Sequence, residues 1–396
     1  MKRKLLSLAF AAVALPLAAL DFAPPLVDGS GWQKSRRDWE RELAGSRYAP
    51  VDAQSIRLLA EPQHGFGALR PREMELQWAA DGSALSSVRI IIYNKGDDLP
   101  LDKKAFAAKL KESVSALNEA LGMPGKQKNL LTRDTGVKVK ATEWRGEHIA
   151  ARLESCNQEF IRLTVTADAE SLSGGGAADA VSKKSLRQNV CREGGALWIK
   201  GIPMVDQGEK GYCVPATLAR IFSYYGMSGI DQHAMAALCE SGGTTGTSVL
   251  EMQRALEAIS HRFHVRLSQI DARMPDLSDV YARYNQVAAA AGQPRLLPMG
   301  AGRNLSEADG KLMQQAMGLR DADVAKWLKP IRKPLQEGIP ILWCVPGHMR
   351  MIIGYDTERQ ELIYSDSWGA RTAEERMPLA AACAISVFRY ILKPSR

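Results

Sequence analysis

Residues 201–226 read GIPMVDQGEKGYCVPATLARIFSYYG, and they are the most informative segment in the second half of the chain. After Cys213, apolar residues recur at positions 218, 221, 222 and 225, which is the spacing of one buried face of a helix. Pro215 suits the first turn of a helix, and Gly226 is typical of the residue that follows its end. The pattern therefore predicts a helix that begins at Cys213.

The predicted position of Cys213 bears on its chemistry. At a helix N-terminus the first backbone N–H groups have no helical partner, and the helix dipole favours negative charge. This setting stabilises a thiolate and makes a cysteine nucleophilic near neutral pH. A structural cysteine that only fills space is the alternative, and the residues immediately around Cys213 do not decide between the two.

Two further stretches predict a β-hairpin that carries a histidine and an acid. Residues 347–356 read GHMRMIIGYD and residues 361–369 read ELIYSDSWG, so His348 opens one buried strand and Asp366 ends the next. On adjacent strands a carboxylate can orient an imidazole. His348 lies 135 positions after Cys213, within the roughly 130–150 typical of a papain-like pair. These residues predict a Cys–His–Asp triad; a strand-start histidine without a catalytic role and a solvated acid are the alternatives.

The motifs around Gln207, Cys213, His348 and Asp366 resemble the C39-like family of papain-fold cysteine peptidases, and the resemblance covers roughly residues 195–395. The DSWG sequence that begins at Asp366 is also similar to the NSWG of papain. The resemblance implies an α+β fold in which a helix bearing the nucleophile packs on an antiparallel sheet. It also implies the roles, which are Cys213 as nucleophile, His348 as general base and then acid, Asp366 as the group that orients His348, and Gln207 as an oxyanion-hole donor beside the Cys213 N–H.

Two features depart from the family pattern. Val214 follows the nucleophile where family members usually have glycine, and long helical inserts separate Cys213 from His348. A β-branched residue is acceptable in a first helical turn, but its side chain is expected to narrow the cleft. The inserts are expected to reshape substrate binding.

Three residues outside the triad are candidates for contacts with substrate. Gly243 and Thr244 belong to a glycine-containing loop before a predicted helix, and this loop either lines the cleft or forms a simple turn between helices. Trp368 is expected to be mainly a core residue, one that shields the hydrogen bond between His348 and Asp366 from water.

The resemblance implies a peptidase that hydrolyses peptide bonds in a peptide or protein substrate, and no cofactor is implied. Amide transfer or deamidation would share the first acyl-enzyme step, so the sequence does not separate these reactions from hydrolysis. A binding protein that keeps a papain-like fold without activity is the third alternative. The complete set of glutamine, cysteine, histidine and aspartate argues against it.

The first half of the chain predicts a smaller α+β domain of unknown role over residues 74–166, with the order ββαβββ. Its predicted elements are strands at 75–78, 87–93, 137–142, 148–155 and 160–166 and an amphipathic helix at 101–121. Residues 21–73 are expected to be an irregular lead-in, and the glycine-rich residues 167–190 a flexible linker. The peptidase domain would then span residues 191–396.

The N-terminus indicates export. A basic start at residues 1–4 precedes an apolar run with small residues near position 19, which is the pattern of a secretory signal peptide over residues 1–20. An uncleaved membrane anchor is the alternative, but the run is short for a span of about 20 residues. The mature protein is therefore expected to be secreted or periplasmic, with no membrane attachment.

Composition is that of an ordinary globular protein, with 45% hydrophobic and 24% charged residues in a chain of 396. The net charge is +8, but basic and acidic residues are interleaved, so no nucleic-acid partner is predicted. The six cysteines show no metal-ligand spacing, and if one is a working thiol the other five cannot all pair. Some are expected to be buried free thiols. Disulfide connectivity and oligomeric state do not follow from the sequence.

Overall fold

The computed structural model describes residues 20–59, 64–131, 137–173, 183–227, 231–242, 246–260, 263, 265–273, 275–296 and 305–394. The signal-peptide prediction, apart from residue 20, lies outside these ranges, as do Gly243, Thr244 and the centre of the predicted linker at 174–182. Within them, no helix combines the length and the apolar composition that crossing a bilayer requires.

The chain is an α+β protein with antiparallel sheets. Its described strands are β1 (Tyr48–Pro50), β2 (Ser55–Leu59), β3 (Glu73–Trp78), β4 (Leu85–Asn94), β5 (Lys126–Leu131), β6 (Lys138–Arg145), β7 (Ala150–Cys156), β8 (Phe160–Thr166), β9 (Val190–Glu193), β10 (Ala196–Ile199), β11 (Val265–Ala272), β12 (Ile341–Val345), β13 (His348–Asp356), β14 (Glu361–Ser365), β15 (Glu375–Pro378) and β16 (Phe388–Pro394). The described α-helices are α1 (Ala23–Val27), α2 (Arg36–Glu42), α3 (Lys103–Ala120), α4 (Ala169–Ser173), α5 (Lys183–Gln188), α6 (Cys213–Tyr224), α7 (Gln232–Leu238), α8 (Val249–Ser260), α9 (Leu277–Ala290), α10 (Glu307–Met317), α11 (Asp321–Gln336) and α12 (Leu379–Ile385).

The N-terminal half forms one antiparallel sheet in the order β1-β2-β3-β4-β8-β7-β6-β5. Helix α3 covers one face of it and buries Phe106 and Leu117 in the core. The predicted helix and five predicted strands correspond to α3 and to β3, β4, β6, β7 and β8. Strand β5 is additional, because its KQKN sequence is too polar to show the alternation of a buried strand.

The prediction that residues 21–73 are an irregular lead-in is wrong. This segment contains α1, α2, β1 and β2, and the domain boundary predicted at residue 74 falls inside β3. Trp32 and Trp39 are buried in the core of the N-terminal sheet, so the segment belongs to that domain. Its elements are short, and their structure comes from packing on the sheet more than from their own periodicity.

The C-terminal half forms a second antiparallel sheet in the order β11-β16-β12-β13-β10-β9, with β14 paired to β13 and β15. Helix α6 begins at Cys213, as predicted, and buries Leu218, Ile221 and Phe222 in the core that also contains Trp343 and Ile352. This packing holds the N-terminus of α6 beside the sheet.

For three other parts of the C-terminal half the sequence patterns predict a last strand over 384–392, helical or loose structure over 268–322, and a helix at 323–338 interrupted by Pro330 and Pro334, and the structure differs in each. Residues 384–385, predicted as the start of the last strand, belong to helix α12. Residues 265–272 form strand β11 where most of that segment was expected to be helical or loose. Helix α11 runs unbroken through Pro330 and Pro334, because packing of Trp327 and Ile331 in the core outweighs the lost hydrogen bonds.

The two halves pack directly against each other. Val139 and Phe160 of the N-terminal sheet form an apolar cluster with Ala237 of α7, and Arg162 forms an ion pair with Asp231 just before α7. The predicted linker contains short helices on both sides of its centre, α4 and α5. The N-terminal domain is therefore docked on the C-terminal domain.

Candidate active site

The hairpin of β13 and β14 brings His348 and Asp366 together. His348 is the first residue of β13, and Asp366 directly follows β14, its pairing partner. The His348 Nε2 atom lies 2.6 Å from Asp366 Oδ1, and the Asp366 side chain is 3% exposed. Asp366 is thus buried and paired rather than solvated, and it fixes the orientation of the imidazole.

Cys213 contacts the same imidazole. Its side chain is one of the groups that raise the pKa of His348, which places the sulfur next to the ring. Cys213 is half-buried and is the first residue of α6. Its backbone N–H has no hydrogen-bond partner in the part of the chain that the structure describes. The helix start therefore presents both a thiol and an unused donor.

The charges and hydrogen bonds around His348 and Asp366 favour a charged imidazole. Burial lowers the pKa of His348, but the hydrogen bonds and charges of Asp366 and Cys213 raise it by more, to about 9. Burial raises the pKa of Asp366, and the His348 hydrogen bond and the charges of His348 and Arg350 lower it by more. At neutral pH the site therefore holds an imidazolium beside a carboxylate.

Arg350 is a further partner of Asp366 that the sequence analysis missed. Its Nε donates to Asp366 Oδ2 at 3.0 Å, while its guanidinium stacks over the Tyr364 ring at 5.0 Å. Arg350 balances the buried carboxylate charge. The sequence could have predicted this contact. Residues two apart on a strand share a face, and Arg350 follows His348 at that spacing.

Arg220 links the helix of the thiol to the hairpin. It is 1% exposed, and its Nη1 donates to the Asp366 carbonyl at 2.8 Å. Nη2 donates to Ser365 Oγ at 2.5 Å, and Nε donates to the Pro203 carbonyl at 2.9 Å. Burial lowers the pKa of Arg220 to about 10, against the opposing effect of the Asp366 charge. Nothing in the sequence separates this arginine from any other on a helix.

Gln207 is buried and held at both ends of its side-chain amide. Its Oε1 accepts from Ser367 Oγ at 2.6 Å, and its Nε2 donates to the Lys210 carbonyl at 3.1 Å. Its backbone N–H donates to the Ser367 carbonyl at 2.9 Å. Within the described ranges the second hydrogen of Nε2 has no partner. The amide is thus rigid and keeps one N–H unused.

Trp368 is not the core residue we expected. Its side chain is 47% exposed, and its ring stacks on the imidazole of His348 with centroids 5.7 Å apart and planes inclined at 24°. It covers the outer face of the histidine.

Val214 is 5% exposed and belongs to the core cluster of the C-terminal sheet. The expectation that its side chain narrows the cleft is therefore wrong.

All six cysteines are free thiols. Burial raises the pKa of Cys156 to about 11 and of Cys239 and Cys344 to about 12, and it also raises the pKa of Cys383. These thiols stay protonated at neutral pH, which fits the expectation of buried free cysteines. Cys191 and Cys213, together with Cys344, are the half-buried ones.

Comparison of the chain with protein-family models, with curated proteins and with solved structures finds no match.

Proposed function

We propose that this protein is a cysteine peptidase that hydrolyses peptide bonds, with Cys213, His348 and Asp366 as its catalytic triad. One observation carries the proposal, namely that the His348 ring is hydrogen-bonded to the Asp366 carboxylate and interacts with the Cys213 thiol at the start of α6. A thiol, an imidazole and a carboxylate in this order are the parts that nucleophilic acyl transfer requires.

The reaction follows from these positions. The Cys213 thiolate attacks the peptide carbonyl carbon, and the C–N bond of the tetrahedral intermediate breaks as the His348 imidazolium donates its proton to the leaving amine. His348 then takes a proton from a water molecule, which attacks the thioester. The second intermediate collapses to the carboxylic acid product, and the thiolate–imidazolium pair is restored.

The negative oxygen of each intermediate needs hydrogen-bond donors. The unused Cys213 N–H and the unused hydrogen of Gln207 Nε2 are the two donors we assign to it. The resemblance of residues 195–395 to papain-fold peptidases agrees with a thiol-bearing helix on an antiparallel sheet. The papain-like fold, the export signal and the peptide substrate are parts of the same proposal.

Cleavage of a peptide library by the wild type and by Cys213→Ala tests the proposal. We expect cleavage by the wild type and none by Cys213→Ala. Cys191→Ala is the matched control, because Cys191 is half-buried like Cys213 but lies on β9; it should cleave normally. Absence of cleavage by the wild type, or cleavage by Cys213→Ala, would contradict the proposal. Product masses that contain an added amine would indicate acyl transfer instead.

Labelling by iodoacetamide gives an independent measurement. Cys213 should react faster than the other five thiols near neutral pH, since four of those have a raised pKa and Cys191 has no histidine partner among the described residues. Equal labelling of all six cysteines would exclude an activated thiolate.

A further inference from the structure

The residues that lead into Cys213 lie between the two domains. We call residues 206–212 the oxyanion loop, because they contain Gln207 and lead directly into Cys213, the two residues that carry the proposed oxyanion donors. The loop has three buried side chains that are charged or aromatic, those of Asp206, Lys210 and Tyr212. Each of them contacts the N-terminal domain. The geometry of the loop therefore depends on residues far away in the sequence.

Lys210 has the most unusual environment in the loop. Its side chain is 0% exposed, and its ammonium lies 3.2 Å from Glu73 Oε2 and 3.0 Å from Asp97 Oδ2, both in the N-terminal domain. A buried ammonium is costly unless it is paired, so these two carboxylates fix where Lys210 can be. The Lys210 ammonium is therefore surrounded by its two ion pairs and by the ring of Tyr212, over which it lies.

The backbone of Lys210 connects this anchor to both proposed oxyanion donors. The Lys210 carbonyl accepts one hydrogen of Gln207 Nε2 at 3.1 Å, which orients the other hydrogen. The same carbonyl accepts the N–H of Tyr212 at 2.7 Å, and Tyr212 immediately precedes Cys213. A shift of Lys210 would therefore move the side-chain donor and the backbone donor together.

Two more contacts hold the ends of the loop. Arg57 of β2 bridges Glu73 at 2.8 Å and Asp206 at 3.3 Å. At the other end the Tyr212 ring lies against the backbone of Gly96, where an added Cβ would be 2.6 Å from the ring. The N-terminal domain thus contacts the loop at its start, its middle and its end.

We propose that the N-terminal domain is a permanent part of the active site, and that Lys210 is a positioning residue which, held by Glu73 and Asp97, sets the two oxyanion donors. This inference rests on the proposed function. It gives the N-terminal domain, whose role the sequence leaves unknown, the task of preorganising the oxyanion hole through its charges. Oxyanion stabilisation is sensitive to donor position, because the donors must aim at the place where charge develops.

Two reagents separate this role from a merely structural one. Iodoacetamide alkylates a thiolate by displacing iodide, with no oxyanion, so its rate reports only the Cys213–His348 pair. p-Nitrophenyl acetate acylates the thiolate through a tetrahedral oxyanion and releases p-nitrophenolate, so its rate also reports the donors. Both rates are measured on the full chain, with Cys213→Ala as the background.

The test variants are Lys210→Met and Asp97→Asn. We expect Lys210→Met to lower the acylation rate by about tenfold or more while the alkylation rate stays within about twofold. Asp97→Asn should change the acylation rate in the same direction by less, and because Asp97 is 23% exposed it carries the test if Lys210→Met does not fold. The control is Lys128→Met, a matched change that removes the ion pair between Lys128 and Glu143 within the N-terminal sheet and should change neither rate.

The outcomes are distinguishable. Loss of acylation with alkylation retained supports the proposal. Unchanged acylation in folded variants, or an equal fall in both rates, overturns it and leaves the peptidase proposal standing. If Cys213 of the wild type is neither acylated nor alkylated faster than the other thiols, the peptidase proposal itself fails.

Discussion

The two halves of the candidate site are held in different ways. The hairpin half consists of His348 and Asp366, which are 18 residues apart at the same end of the hairpin of β13 and β14. The loop half, residues 206–212, is held through ion pairs between Lys210 and residues 137 and 113 positions away. The hairpin half is therefore nearly complete within one supersecondary unit, whereas the loop half takes contacts from both domains. Predictions that disturb one half at a time can test this difference.

The largest expected effect comes from Arg220, which joins α6, the helix that follows the loop half, to the hairpin half. Arg220→Met removes three hydrogen bonds, two of them to the buried residues Ser365 and Asp366 and one to the half-buried Pro203. Unsatisfied buried acceptors cost about 1–3 kcal/mol each, so we expect a loss of about 3–5 kcal/mol in the free energy of unfolding. Urea unfolding followed by circular dichroism measures it.

Arg283→Met is the control for this measurement. Arg283 is 56% exposed and pairs only with Asp279 on the same helix, among the described residues, so its replacement should cost less than about 0.5 kcal/mol. Equal losses for the two variants would show that Arg220 does not join α6 to the hairpin half.

The second prediction breaks the hairpin half alone. Asp366→Asn keeps a hydrogen-bond acceptor for His348 but removes the charge that raises the pKa of the imidazole. We expect acylation by p-nitrophenyl acetate to fall by about 100-fold, because a neutral partner neither supports the imidazolium nor selects the same tautomer. Asp356→Asn, a buried acid at the other end of β13, should keep the wild-type rate.

The same variant has a pH signature. His348 has a folded pKa of about 9, above its ordinary 6.5, so its contribution to stability is complete below pH 6.5 and is lost as the pH rises through 9. We therefore expect the free energy of unfolding of the wild type to decrease between these values. The decrease should be much smaller in Asp366→Asn, and an identical pH dependence in both proteins would contradict the assignment.

The difference between the two halves also explains what the sequence could reveal. The periodicity after Cys213 and the two apolar stretches around residues 348 and 366 carry local signals, so the helix start and the hairpin were predictable. Lys210, in contrast, looks like any charged loop residue. Its burial depends on Glu73 and Asp97, which a single sequence cannot pair with it.

The sequence predictions that were wrong for other regions failed for the same physical reason. β1 and β2 are short strands in a segment rich in proline and glycine, and their structure depends on the pairing of β2 with β3 and of β1 with β2. Trp368 was assigned to the core because large aromatic residues are usually buried, but it stacks on the open side of His348. In each case a contact made at long range decided the result.

The third prediction disturbs the loop half alone. Gly96→Ala places a methyl group 2.6 Å from the Tyr212 ring, and Tyr212 is 1% exposed and unable to move aside. Such overpacking costs about 1–3 kcal/mol. We expect acylation to fall by about tenfold with alkylation little changed, as the ring pushes the loop away from its anchor.

Gly310→Ala is the matched control for crowding. Its added Cβ would be 2.5 Å from Pro378, which is as close as the contact at Gly96, but Gly310 belongs to α10 rather than to the domain interface. It should lower stability similarly and leave both rates unchanged. If both variants lower acylation equally, the loop half has no special link to the N-terminal domain.

The smallest expected effect on acylation concerns Trp368, which contacts the hairpin half at His348. Trp368→Ala removes the ring stacked on His348 and admits water to the His348–Asp366 hydrogen bond. Since stacked aromatic pairs contribute about 0.5–1.5 kcal/mol, we expect acylation to fall by about threefold. Trp368→Phe keeps a stacked ring and should restore most of the rate. Because the hydrogen bond itself remains, a loss as large as that of Asp366→Asn would mean that Trp368 contacts the substrate instead of only covering the histidine.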